Sequence, residues 1–134
     1  MRPCARRVCP DFSSIKEEGA YGEEVAASFL RRQGCRVLAR NYAGRWGEVD
    51  VVVRDGESLV FVEVKARGPE GWGRPAEAVD GKKRRRIRLT AEAYLKELRV
   101  APPPVRFDVV EVILEPGRVP EVTWVRGAFT VEGR

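Results

Sequence analysis

Apolar residues recur along this chain with two different periods. Over 15–33, Tyr21, Val25, Phe29 and Leu30 fall at helical spacing and Gly34 follows as a stop, which predicts an amphipathic helix. A second stripe, Ile87, Ala91, Tyr94, Leu95 and Leu98, predicts a helix over 82–98, ended by Pro102-Pro103-Pro104. Between these helices the pattern is one of strands rich in β-branched and aromatic residues, at 36–40, 49–53 and 59–64. Another strand follows at 105–114, and 119–131 holds one or two more, broken near Gly127. The segment 41–46 reads as a loop. So does 66–81, with Gly68, Pro69, Gly71, Gly73 and Pro75 around a single Trp72 and a helical turn beginning at 75–79. That connector is either a mobile substrate-facing loop or a plain link, and no Gly-Lys-Ser/Thr follows its glycines to make a phosphate loop. The order α-β-β-β-α-β with a strand appendix predicts an α/β domain in which helices flank a mixed sheet.

The central hairpin carries charge where burial is expected. Asp55-Gly56 suits a two-residue turn, which would pair Arg54 with Glu57, Val52 with Leu59 and Asp50 with Phe61. Side chains alternate along a strand, so Asp50, Glu63 and Lys65 then share one face, while Val51, Val53, Val60, Val62 and Val64 form an apolar face on the core. Glu48 shares the parity of Asp50. Two carboxylates beside a lysine suit a hard divalent cation, Mg²⁺ or Mn²⁺, next to a cationic group. Such an ion polarises a phosphodiester and lowers the pKa of bound water, and the lysine stabilises charge developing on phosphorus. That is nuclease chemistry; a solvated cross-strand salt-bridge ladder is the other reading of the same three residues.

Helical phase sorts the remaining charges. Glu23 precedes Ala26, Ala27 and Leu30 by three, four and seven positions and borders the packed face, whereas Glu24 aligns with Ser28 and Arg31 and faces solvent. The run Lys82-Lys83-Arg84-Arg85-Arg86-Ile87-Arg88 stands at the start of the second helix, where backbone N–H groups also attract anions. It is either a solvated face or a nucleic-acid contact, and Lys82 with Arg86, one turn apart, are the pair expected to touch phosphate.

Composition narrows the classes. At 134 residues, 43% hydrophobic and 34% charged, the chain has enough material for a single buried core over 15–134, after a flexible arm at 1–14. A net charge of +5 and a pI near 9.4 favour a polyanionic partner. The chain contains no histidine, which removes His-based acid/base chemistry and most zinc sites, so any metal must rest on carboxylates. Cys4, Cys9 and Cys35 have no CxxC spacing and are expected as reduced thiols in the cytoplasm. No apolar run reaches the length of a signal sequence or membrane span, so no membrane association is expected.

An acid followed after about a dozen residues by Glu-x-Lys, as in Asp50, Glu63 and Lys65, resembles the signature of the PD-(D/E)xK nuclease superfamily. The wider set is Gly19-Ala20-Tyr21-Gly22-Glu23 with Ala26, Arg40-Asn41-Tyr42, Gly47-Glu48-Val49-Asp50, Phe61-Val62-Glu63-Val64-Lys65-Ala66-Arg67, Lys82 and Arg106-Phe107-Asp108. In that order it resembles the uncharacterised bacterial YraN family, itself similar to archaeal Holliday junction resolvases. The resemblance implies a restriction-endonuclease-like αβββαβ core and a metal-dependent endonuclease acting on branched or nicked DNA. It also implies Glu23 as a third acidic site residue, binding metal directly or through water, and a homodimer, since symmetric incision of two strands needs two sites. Asp108 matches a family position too, but a salt bridge with Arg106 or another core-edge cation is favoured for it over metal binding. A non-catalytic nucleic-acid-binding module with the same fold is the alternative.

Overall fold

The computed structural model describes residues 7–68, 81–98, 101 and 103–129. The connector at 69–80, with Trp72 and the expected turn at 75–79, lies outside the described residues, as do Cys4 and Pro102.

Helix α1, Ile15–Arg32, is fixed at its start by reciprocal capping. Ser14 Oγ accepts from the Glu17 N–H at 3.1 Å, and the Glu17 carboxylate accepts from the Ser13 N–H at 2.7 Å. Gly34, at φ +98°, supplies the left-handed residue that follows the helix. Its inner face is made of Gly22, Ala26, Ala27 and Leu30. A Cβ at Gly22 would stand 2.5 Å from Ala66 Cβ, so only glycine allows this close approach to the sheet.

The sheet has five strands in the order β1 (Arg36–Gly44), β2 (Gly47–Asp55), β3 (Ser58–Arg67), β4 (Val105–Ile113) and β5 (Glu121–Val125). β1 to β3 form an antiparallel meander, β3 and β4 are parallel, and β5 returns antiparallel. Parallel neighbours need a crossover, and α2, Gly81–Leu98, lies in that connection. The expected mixed sheet flanked by helices is therefore observed, as a restriction-endonuclease-like core requires.

Both faces of the sheet are covered. Val51, Val53, Val60, Val62 and Val64 pack with Ala26 and Leu30 of α1, as the apolar face predicts. The opposite face is more buried than the hairpin pattern implies: Phe61 is 1% exposed and packs with Val52, Leu59, Ile87, Ala91 and Val109 beneath α2. Glu63 and Lys65 continue this second face towards the end of β3, and they are where it turns polar.

The hairpin turn differs from expectation. Asp55 pairs with Ser58, so Gly56 and Glu57 form the turn, with Gly56 at φ +61°. Asp55 is held in the strand because its Oδ2 accepts from Arg106 Nη2 at 2.9 Å. Moving the turn by one residue shifts every partner by two, so Val52 faces Phe61 rather than Leu59, while parity is preserved. β1 is also longer than expected. It runs through 41–44, read from sequence as loop, because Tyr42, Ala43 and Gly44 pair with Val49, Glu48 and Gly47 and Tyr42 packs edge-on against Tyr94 at 5.1 Å. Only Arg45 and Trp46 are left as the turn. Within the leading segment expected as an arm, Cys9 is buried, with its N–H bonded to the Arg118 carbonyl and its own carbonyl accepting from the Gly117 N–H.

Candidate active site

β2 and β3 part company just beyond the Val51–Val62 pair, and the candidate site occupies that opening. Extending the register would set Asp50 against Glu63. Instead Asp50 Oδ2 accepts from the Val64 N–H at 2.8 Å, which turns its carboxylate towards β3. Glu63 has a side chain only 8% exposed and is met by two ammonium groups, Lys83 Nζ at 2.5 Å and Lys65 Nζ at 3.6 Å.

These groups disturb one another. Burial first, then the Glu63 and Glu23 charges, push the Asp50 carboxyl up from its ordinary 3.8 to about 7, against the Val64 N–H and Lys83, which favour the anion. Lys65 is pulled below the usual lysine range by burial and by the adjacent Lys83 ammonium. Burial would depress Lys83 as well, but its hydrogen bond to Glu63 and the Glu63 charge outweigh that and raise it. The site thus sets a half-buried Asp50 beside a buried Glu63, and Lys83 does not outweigh the effect of burial and of the Glu63 charge on Asp50.

Glu23 approaches from α1, one residue beyond the close approach of Gly22 to β3. Its Oε1 accepts from Asn41 Nδ2 at 2.9 Å. Burial, Glu48 and Glu63 raise its pKa, and Arg40 opposes them. Asn41 makes this bond from φ +51°, a backbone conformation in which asparagine is among the few tolerated side chains. Glu24 is exposed and pairs with Arg40 at 3.3 Å, as its helical phase predicts.

The structure gathers Asp50, Glu63 and Lys65 and brings Glu23 within their electrostatic reach. Lys82 and Arg86, picked from the charge run, are exposed outside this cluster, and Lys83 is the member of the run that enters it. Its signal is helical phase: Lys83 stands four positions before Ile87 and seven before Thr90, both buried. Glu48 is exposed and acts on Glu23 through charge alone. Asp108 belongs elsewhere. Fully buried, it accepts from Arg106 Nε at 2.9 Å, Trp124 Nε1 at 2.8 Å and the Gly127 N–H at 2.9 Å, which fills its acceptor positions and gives it a structural role.

Among the described residues no three acidic or cysteine side chains form a ready metal cage. Mg²⁺ does not demand one, since it commonly binds one or two carboxylates and completes its shell with water and substrate phosphate. The Asp50–Glu63 donor set fits that mode, with Glu23 held back by Asn41.

No helix among the described residues is long and apolar enough to cross a membrane. Residues 22–112 match the model of a family described as "Uncharacterised protein family UPF0102". A UPF0102 protein of Pseudomonas aeruginosa is 43% identical over 121 residues, spanning 89% of this chain and 97% of its own. One from Solibacter usitatus is 48% identical over 117 residues, 85% of this chain and 86% of its own. One from Pelotomaculum thermopropionicum is 46% identical over 112 residues, 83% and 93% of the two chains. The match takes in Glu23, Asp50, Glu63, Lys65 and Lys83, and the chain belongs to this uncharacterised family, UPF0102, the YraN family whose motifs its sequence resembles.

Proposed function

We propose that this protein is a metal-dependent endonuclease of the cytoplasm that hydrolyses phosphodiester bonds in branched or nicked DNA. One observation carries the reading: a half-buried Asp50 and a buried Glu63 whose carboxylates repel, with a lysine of lowered pKa beside them, at the open end of a sheet. Carboxylates about 4 Å apart repel by roughly 4 kcal/mol at an effective dielectric of 20, a cost that a bound cation removes. Asp50 and Glu63 would hold Mg²⁺ or Mn²⁺, and Glu23, once released by Asn41, would reach it directly or through water. The ion supplies Lewis acidity and a water of lowered pKa. Lys65 orients the attacking water and stabilises charge on the phosphoryl oxygens, and Lys83 fixes the Glu63 carboxylate. A second copy of the chain would supply the second incision at a symmetric junction.

The runner-up, a nucleic-acid-binding module without catalysis, draws on the short Lys83–Glu63 pair, which satisfies Glu63 with an internal cation. Labelled linear, nicked, flapped and four-way DNAs incubated with Mg²⁺ or Mn²⁺ separate the two. Products that appear with metal and vanish with chelator support the enzyme. Salt-dependent binding with no metal-dependent product on any substrate supports the module. In either case Lys82→Ala with Arg86→Ala is expected to weaken DNA binding and reduce its salt slope by about two, one for each phosphate that is no longer neutralised.

A further inference from the structure

Trp46 stands at the tip of the β1–β2 hairpin with 47% of its surface exposed, the one aromatic residue among the exposed large apolar side chains described. Neither the core nor the turn explains it. Two-residue hairpin turns favour glycine, asparagine and aspartate, and the left-handed residue here is Gly47, at φ +145°, not Trp46. The ring has the Arg45 guanidinium over it, 5.3 Å from its centroid. The tip is also seated on the basic helix: a Cβ at Gly47 would lie 3.7 Å from Arg86 Cβ and 3.9 Å from Thr90 Oγ1. Two exposed cations therefore stand beside this exposed ring: Arg45, whose guanidinium lies over it, and Arg86 of α2, which packs next to Gly47. Trp46 lies in the turn that leads into β2, four residues before Asp50, which is at most about 13 Å along the chain at the usual strand rise.

We propose that Trp46, with Arg45 beside it, is a stacking platform for an unpaired DNA base. Stacking on an aromatic ring is strong and tolerant of sequence, and the Arg45 and Arg86 charges at the turn match the adjoining phosphates. In continuous duplex the base faces are already covered by their neighbours, so a lone exposed ring finds its partner only at a fork, flap or gap. The inference rests on the nucleic-acid reading above and narrows it, giving the site a substrate in which single-stranded bases adjoin the cleaved bond.

The test is metal-free binding of the full chain to single-stranded, forked and blunt duplex DNA of equal length. Trp46→Ala is expected to lose about tenfold affinity for the single-stranded and forked DNAs and to bind blunt duplex like the wild type, while Trp46→Tyr keeps most of the affinity for all three. Because Trp46 is exposed and the tyrosine variant retains an aromatic ring, a folding defect would show as a loss shared by every DNA. Equal losses on all three DNAs, or an unchanged affinity for the forked one, would overturn the stacking platform and leave the proposed function standing. A wild type that binds none of them overturns both.

Discussion

Asp50→Asn is expected to be more stable than the wild type at about pH 8 in the absence of divalent metal, and inactive. The folded state raises the Asp50 carboxyl from 3.8 to about 7, so folding favours the protonated form. The contribution of this group is therefore intact below about pH 4 and is lost as pH rises through about 7, where the wild type must carry a half-buried anion beside Glu63. A shift of that size corresponds to a ceiling of about 4 kcal/mol, and relaxation of the site reduces the expected gain to about 1–3 kcal/mol. Asparagine keeps an oxygen for the Val64 N–H but carries no charge, so it relieves the repulsion without losing the hydrogen bond. Chemical denaturation at the two pH values measures the effect: the variant should gain at about pH 8 and match the wild type at about pH 4. A variant less stable than the wild type at the higher pH would mean that the Asp50 anion is well compensated in the apo protein.

Lys65→Ala is expected to keep DNA affinity within about twofold while cleavage falls by about a hundredfold or more, the scale on which removing one preorganised charge from a hydrolytic site acts. Lys83 is the closer cation on Glu63, so losing Lys65 leaves that carboxylate paired and the fold intact. The Lys82 and Arg86 surface is untouched. The depressed pKa of Lys65 brings its proton nearer to exchange at neutral pH, so the wild-type rate should show a basic limb that tracks this group. A variant that cuts as fast as the wild type assigns the activity to another site or to a contaminant.

Much of the site is legible in strand and helix periodicity. Period-two alternation puts Glu63 and Lys65 on one face of β3, and this survives the displaced turn because a one-residue move changes partners by two and parity not at all. The displacement itself depends on Arg106 capturing Asp55, an ion pair between residues fifty-one apart that no local turn rule contains. Helical phase distinguishes Glu23 from Glu24, since the apolar residues three, four and seven positions on from Glu23, Ala26, Ala27 and Leu30, mark the packed side. The same reasoning applies to Lys83, four residues before Ile87, but there it is masked by a run of cations of equal charge from which the surface pair Lys82 and Arg86 stands out first. The positive φ of Asn41 is not legible, because local signals mark this stretch as loop whereas the fold continues β1 through it, with Tyr42 packed on Tyr94. Nor is the partial embrace of Glu63 by two lysines, which is a property of packing between α2 and β3.

As a metal site assembled at a cost to stability, Asp50 and Glu63 are tested without knowledge of the substrate by the change in melting temperature on adding Mg²⁺ or Mn²⁺ at about pH 8. A ligand that binds only the folded state raises its melting temperature according to concentration and affinity. The wild type should gain several degrees, and Asp50→Asn, already relieved of its charge, should gain markedly less. Equal shifts in the two proteins would mean that the acid pair does not hold the ion.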